Sequence, residues 1–180
     1  MPEQTKIEPL SATECETLGK AMWELVKQYP SEPGDPEVTA QYDELGADVS
    51  LAVLVLGGRY KKKYVSGGFI GEATFRIAYK SNPKTSPQRI NSQAFVGRIM
   101  QWLEHTEELP KLTDNRTITK ITASGTGELP YKDETGQDKS TVYAADAVME
   151  YYKKGSQNGE RKSKHGVVPG FWEVDGRHRF

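Results

Sequence analysis

The sequence has little of the chemistry on which most enzymes and metal proteins depend. A single cysteine, Cys15, stands among 180 residues, which excludes an internal disulfide and a site built from several thiolates. The three histidines, His105, His165 and His178, are scattered and lack the short spacing of a zinc site. These absences favour a protein that is not an enzyme and has no cofactor.

Long apolar runs are also missing. The longest, residues 51–56, has the length of a strand and falls far short of the roughly 20 residues that a membrane-spanning helix needs. The start of the chain lacks the basic-then-apolar order of a secretory signal. We therefore expect a soluble, intracellular protein with no membrane partner.

Charge is segregated along the chain, although the formal net charge is only -1. Residues 1–50 carry 3 basic and 11 acidic side chains, residues 51–106 carry 9 and 2, residues 107–150 carry 5 and 9, and residues 151–180 carry 7 and 3. Because opposite surface charges steer and orient an encounter, this pattern favours docking onto other copies of the chain. The alternative is that the regions mix on the folded surface and cancel.

Periodicity predicts two helices. Ser11 and Glu14 have the spacing of a capping box, and an apolar stripe of helical period follows as far as Tyr29. The second helix is predicted to begin at Ser86-Pro87, with serine as the N-cap and proline in the first helical position.

β-branched and alternating runs predict five strands. They are residues 49–56, 60–65, 69–80, 116–124 and 142–152. Gly57-Gly58 is predicted to separate the first two strands, and residues 30–48 are predicted to be an acidic, proline-rich loop. A helix is the alternative for residues 142–152, because alanine and methionine favour helices.

The predicted order α-β-β-β-α-β-β indicates an α+β domain. Its sheet of about five strands is expected to be largely antiparallel, with a mixed sheet as the alternative, and to be packed by both helices. We predict an N-terminal arm at 1–10, the domain at 11–153 and a basic, extended tail at 154–180. Phe171 and Trp172 stand alone in that tail and are predicted to dock on a partner.

One short run mixes cations with aromatic residues, as single-stranded nucleic-acid sites do. It spans Tyr60 to Tyr64, and in a strand Lys61 and Lys63 share a face while Lys62 points away. Lysines also protect exposed sheet edges from wrong pairing. We therefore favour an edge or interface role for this run over nucleic-acid binding.

Several loosely placed positions carry a family resemblance. They are the strand Phe75 to Lys80, Arg89, Trp102-Leu103-Glu104, the run Leu109 to Leu112, and Tyr143. Over roughly residues 11–153, these positions and the element order resemble the tail-terminator and minor capsid (head–tail joining) proteins of long-tailed phages, especially phages of Gram-positive hosts. The loop 30–48 and the chain beyond residue 153 have no counterpart in the resemblance.

The resemblance implies a structural virion protein. Six copies would close into a ring at the head-proximal end of the tail, which would stop growth of the tail tube and join the tail to the head connector. The implied partners are copies of the chain, the tail tube protein and a head-completion or connector protein. Genome DNA would pass through the lumen without specific binding. The implied location is the virion, with assembly in the host cytoplasm.

A ring needs heterologous contacts, in which one face of each subunit meets a different face of the next. The basic strand 60–65 and an acidic stretch such as 30–48 would suit that geometry. Seven residues are predicted as ring contacts: Tyr60, Lys61, Lys63, Arg76, Lys80, Arg89 and Arg98. Two other functions stay open, namely another head–tail connector or tail-completion protein, and a small-molecule-binding α+β domain with a concave apolar pocket.

Overall fold

A computed structural model describes residues 8–123, 127–130 and 140–155, with 127–130 as backbone. The elements in chain order are α1 (Ala12–Val26), β1 (Ala40–Tyr42), β2 (Ser50–Lys63), β3 (Phe69–Ser81), α2 (Ser86–His105), β4 (Arg116–Ala123), β5 (Gly127–Pro130) and β6 (Thr141–Lys153). The predicted α+β class, with two helices and a sheet of five main strands, is confirmed.

The main strands lie in the order β1-β2-β3-β6-β4, and the short β5 pairs with the start of β6. β1 runs parallel to β2, while every other described pair of strands is antiparallel. The sheet is therefore mixed, which was the alternative to a purely antiparallel sheet. β6 is a strand, as predicted for residues 142–152, rather than a helix. It is paired along both edges, and its alternate residues Tyr143, Ala145, Ala147 and Met149 are all buried.

Both helices cover the same face of the sheet. Alternate residues of β3, including Phe75 and Ile77, point into this layer and are fully buried. The helices contribute apolar stripes at i, i+3 and i+4 spacing: Leu18, Met22 and Leu25 from α1, and Phe95, Ile99 and Leu103 from α2. The opposite face, which we call the helix-free face, is half-exposed along the middle strands, as antiparallel sheets allow.

β2 is one continuous strand where the sequence predicted two strands separated by Gly57-Gly58. The register with β3 shifts between Val55 and Gly57, which marks a β-bulge, and Gly57 has a φ of 125°. Gly58 lies so close to β3 that an added Cβ would stand 2.4 Å from the carbonyl oxygen of Glu72. The two glycines therefore bend the strand and allow close approach, instead of ending it.

The helix boundaries and the acidic loop also differ in detail from the predictions. α1 ends at Val26 rather than near Tyr29. The N-cap of α2 is Thr85, because its hydroxyl and the Gln88 side chain complete a capping box one residue earlier than predicted. The loop 30–48 contains β1, a strand of three residues that is too short to show a period in the sequence.

The last residues of the predicted N-terminal arm lie along the outer edge of β2. The Leu10 amide donates to the Gly58 carbonyl, and the Tyr60 amide donates to the Glu8 carbonyl, both at 3.0 Å. Residues 1–7 and most of the predicted tail, including Phe171 and Trp172, lie outside the described residues.

Candidate assembly surfaces

The hairpin of β2 and β3 runs the length of the sheet and separates two charged surfaces. β2 has 14 residues, which at about 3.3 Å per residue span roughly 45 Å. Residues 43–49, which we call the acidic segment, precede its first residue. Residues 61–68, which we call the hairpin tip, contain its last residues and the turn to β3. The two surfaces therefore lie at opposite ends of the domain.

The hairpin tip is basic and carries exposed apolar side chains. Lys61, Lys62 and Lys63 are exposed, and so are Tyr64 and Val65 in the turn. The turn is closed by two backbone hydrogen bonds: the Tyr64 amide donates to the Gly68 carbonyl at 2.8 Å, and the Gly67 amide donates to the Tyr64 carbonyl at 2.9 Å. The Lys62 ammonium lies 5.0 Å from the centre of the Tyr64 ring, which keeps that cation at the tip.

The acidic segment offers three exposed carboxylates. Asp43, Glu44 and Asp48 are exposed, and among the described residues none of them forms an ion pair. Leu45 anchors the segment by packing with Leu54 against a small apolar cluster on the helix-free face. The segment is therefore fixed at this end of the domain while its three carboxylates stay exposed.

Three of the predicted ring contacts, Tyr60, Lys61 and Lys63, lie on the end of β2 and have partners in the same chain. Lys61 pairs with Glu150 on the helix-free face. Lys63 pairs with Glu8 at 2.6 Å and also lies over the ring of Tyr60, at 4.1 Å. The unengaged positive charge of the described tip is therefore concentrated at Lys62 rather than at its neighbours.

The other four predicted contacts are not brought together with the hairpin tip. Arg76 lies on the helix-free face, where it holds Asp146 through two hydrogen bonds of 2.8 and 3.0 Å. Lys80 is buried beneath the acidic segment, and its ammonium donates to the Ala47 carbonyl at 2.9 Å. Lys80 therefore supports the acidic segment from within the subunit, and its role as a ring contact stays a prediction. Arg89 is exposed on α2.

Arg98, also on α2, neutralises two carboxylates of the acidic loop 30–48 within the same chain. Its guanidinium donates to the buried carboxylate of Asp35 and lies 3.6 Å from Glu32. Burial alone would raise the pKa of Asp35, but hydrogen bonds from the Glu32 amide, Arg98 and Tyr29 outweigh it and hold the pKa below its ordinary value. Internal cancellation of charge, the alternative left open by the sequence, thus holds for this part of the loop; within the part of the chain that the structure describes, no ion pair does the same for residues 43–48.

A buried charged cluster connects α1 with β4 and β6, and sequence reasoning missed it. Arg116 donates to both carboxylate oxygens of Glu14, at 2.6 and 3.0 Å, and the Tyr151 hydroxyl donates to Glu14 at 3.0 Å. Lys153 approaches the same carboxylate at 3.6 Å. Glu14 was predicted to close a capping box, yet its side chain turns inward and only Ser11 completes the cap, accepting from the Glu14 amide. The cluster is internally satisfied and holds the layers together.

The carboxyl of Glu14 is ionised at neutral pH because of these partners. Burial would raise its pKa, but the hydrogen bonds from Arg116 and Tyr151 and the charges of Arg116 and Lys153 together lower it below the ordinary 4.5. Burial and the nearby charge of Glu14 raise the pKa of the Tyr151 hydroxyl, which keeps it protonated as a donor. The cluster is therefore stable in its charged form.

We expect the Glu14 cluster to make the protein acid-sensitive. A group whose pKa is lower in the folded state stabilises the fold above its unfolded pKa and loses that contribution as pH falls through the folded pKa. Below pH 4.5 the free energy of unfolding of the wild type should fall by up to about 1.4 kcal/mol per pH unit from this group. Urea denaturation from pH 6 to pH 3 measures it, and Glu14→Gln should show a shallower slope. Equal slopes would contradict this account.

A cavity of about 250 Å³ opens beside the acidic segment, at the start of α2. Its walls include Pro36, Val49 and Pro83, and the hydroxyls of Ser81 and Ser92 hydrogen-bond to each other at 3.0 Å in its lining. Among the described residues, its lining contains no carboxylate, histidine, cysteine, lysine or arginine. The cavity can therefore take up an apolar or neutral group, and its described walls offer no general base.

In the described part of the chain, no three histidine, cysteine, aspartate or glutamate side chains come together as a metal site requires. No described helix combines the length and the apolar character needed to cross a membrane. No protein-family model matches the chain, and no significantly similar curated protein is found.

Proposed function

We propose that this protein is a structural virion subunit that forms a ring of six copies at the head-proximal end of a phage tail. There it terminates growth of the tail tube and joins the tail to the head connector. The observation that supports this proposal most is the placement of the acidic segment and the hairpin tip at opposite ends of β2.

Distance prevents these two surfaces from neutralising each other within one subunit. They lie at opposite ends of β2, whose 14 residues span up to roughly 45 Å. Electrostatic screening in 0.1 M salt acts over about 10 Å. Their attraction is therefore available only between copies, where the positive end of one meets the negative end of the next.

A contact between two different surfaces is heterologous, and a repeated heterologous contact closes into a ring when its rotation allows closure. The number six and the position on the tail come from the family resemblance of residues 11–153. The charge placement supplies the physical reason for head-to-tail contact, and the resemblance supplies the biological setting. The partners would be the tail tube protein and a head-completion or connector protein, and the virion would be the location.

Native mass spectrometry and negative-stain electron microscopy of the full chain test this proposal. We expect a sixfold ring at low salt that dissociates as salt rises, because the attraction between exposed charges is screened. Added to polymerising tail tube protein, the ring should shorten the tubes by capping one end.

Two outcomes would contradict the proposal, and they point in different directions. A monomer at every concentration that retains a small molecule in the cavity would favour the small-molecule-binding alternative. A ring that leaves tube length unchanged but binds the head connector would favour another connector or completion protein.

A further inference from the structure

We propose that the hairpin tip of one copy inserts Val65, with Tyr64 beside it, into the cavity next to the acidic segment of the following copy. This contact rests on the proposed function, because it specifies how neighbouring subunits of the ring meet. It assigns the cavity to a protein side chain instead of a small molecule.

Val65 is conspicuous at its position in the hairpin turn. Tight turns favour Gly, Asn, Asp, Ser and Pro, each for a local conformational reason that valine does not satisfy. The turn already has Gly67, with a φ of 82°, where a left-handed residue is needed. Val65 is fully exposed and Tyr64 is exposed beside it, so the chain presents an apolar side chain where the turn does not require one.

The cavity at the other end of the domain is suited to receive such a side chain. Pro36, Val49 and Pro83 give part of its wall an apolar surface, while much of the rest is neutral and polar, and Val49 is itself half exposed at the edge. At about 250 Å³ it can admit a side chain but not a folded element. Side chains seated in desolvated pockets carry much of the binding energy of protein interfaces, and tyrosine is enriched among them, so Val65 together with Tyr64 forms the centre of the contact.

Charge complementarity selects the hairpin tip as the occupant. Asp48 directly precedes Val49 and Glu37 directly follows Pro36, and both carboxylates are exposed. On the tip, Lys62 stands three residues before Val65 and is exposed. A valine carried on a basic hairpin therefore meets a cavity whose rim is acidic on this side.

The charges also set the orientation of the contact. The wall of the cavity formed by the start of α2 carries an exposed cation, because Lys84 directly follows the lining residue Pro83. Lys62 of an inserted tip is thus attracted to the side of the acidic segment and repelled from the side of α2. One orientation is favoured, as a closed ring requires.

The first test compares two exposed apolar residues of the hairpin. Val65→Asp should weaken association between subunits by at least about tenfold, because it removes the apolar side chain and brings a carboxylate to a cavity with an acidic rim. Leu56→Asp is the matched control, since Leu56 is half exposed on β2 and far from the turn. It should leave the ring intact. Sedimentation velocity measures association, and circular dichroism confirms that both variants are folded.

The second test blocks the cavity and mixes variants. Asn91 is exposed and lines the cavity, so Asn91→Trp should fill the cavity and also prevent the ring. A one-to-one mixture of Asn91→Trp and Val65→Asp contains one intact tip and one intact cavity. It should form pairs of one copy each and no larger species.

A disulfide test gives the register directly. In a Cys15→Ser background, a mixture of Val65→Cys and Asn91→Cys should form a crosslink between the two different chains.

A crosslink only between two copies of Val65→Cys would show an isologous contact and overturn the inference. Rings that persist in Val65→Asp would overturn the contact and leave the proposed function standing. A wild type that is monomeric throughout would overturn both.

Discussion

Replacing Arg116 by methionine is expected to lower the free energy of unfolding by about 3–5 kcal/mol, because it leaves the carboxylate of Glu14 buried without its main partner. Both side chains of this pair are more than nine-tenths buried, and Arg116 supplies two of the three hydrogen bonds to that carboxylate. Urea denaturation followed by circular dichroism at pH 7 measures the loss.

The matched control is Arg59→Met, because Arg59 also pairs with a glutamate, Glu72 on the adjacent strand, but is half exposed. Exposed ion pairs contribute about 0–1 kcal/mol, so this variant should be nearly neutral. A similar loss in the two variants would contradict the assignment of Glu14 and Arg116 as a buried pair.

A triple variant separates the net contribution of the ion pair to the free energy of unfolding from the cost of leaving one buried partner alone. Glu14→Leu, Arg116→Met and Tyr151→Phe together remove the carboxylate, the guanidinium and the hydroxyl that depends on them. Because no buried group is left without a partner, the triple variant should recover most of the stability lost in Arg116→Met. A triple variant less stable than Arg116→Met would show that the cluster is strongly stabilising in itself.

Gly58→Ala is expected to lower the free energy of unfolding by about 1–3 kcal/mol, the usual range for overpacking. The new Cβ would stand 2.4 Å from the carbonyl oxygen of Glu72 and 3.0 Å from the Cα of Ala73. Both are backbone atoms of β3, so the clash cannot be relieved by moving a side chain. β2 and β3 would have to separate locally.

Gly46→Ala is the control for the general effect of replacing glycine. Its added Cβ would have the Ser50 Cβ as its nearest neighbour, at 3.4 Å, and its φ is not in the left-handed region. Because alanine reduces the freedom of the unfolded chain, Gly46→Ala should be neutral or slightly stabilising. Equal midpoints for the two variants in thermal denaturation would refute the close approach at Gly58.

The fold and the proposed assembly use different sets of charges. Arg76, Arg98 and Arg116 are held by carboxylates of the same chain and serve the domain itself. Among the described residues, Lys62 and the carboxylates of the acidic segment form no ion pair. They lie at the two ends of the domain, where copies would meet in the proposed ring. The substitutions proposed at the ring contact are therefore expected to leave the free energy of unfolding nearly unchanged, whereas Arg116→Met at the buried cluster is expected to lower it.

The local sequence pattern was sufficient to predict the helices and strands that are determined by residues close to one another in the chain. The stripe Leu18, Met22 and Leu25 indicated α1, and the alternation around Phe75 and Ile77 indicated β3, because side chains three, four or two residues apart share a face. Residues 142–152 alternate in the same way, and β6 is a strand despite its helix-forming alanines. The α+β class and the dominance of antiparallel pairing followed from these elements and their short connections.

Pairing between distant segments decided the rest. Glu14 and Arg116 are 102 residues apart, and nothing near either residue shows that α1 and β4 bring them together. Gly57-Gly58 has the composition of a strand break, but the strand continues because β3 lies alongside and the bulge absorbs the extra residue. The acidic and basic segments could be counted along the sequence. The distance that β2 places between the acidic segment and the hairpin tip could not be predicted from it. That separation arises because the strand is extended by its hydrogen bonds to β3, and extension places residues 43–49 and 61–68 at opposite ends of one sheet.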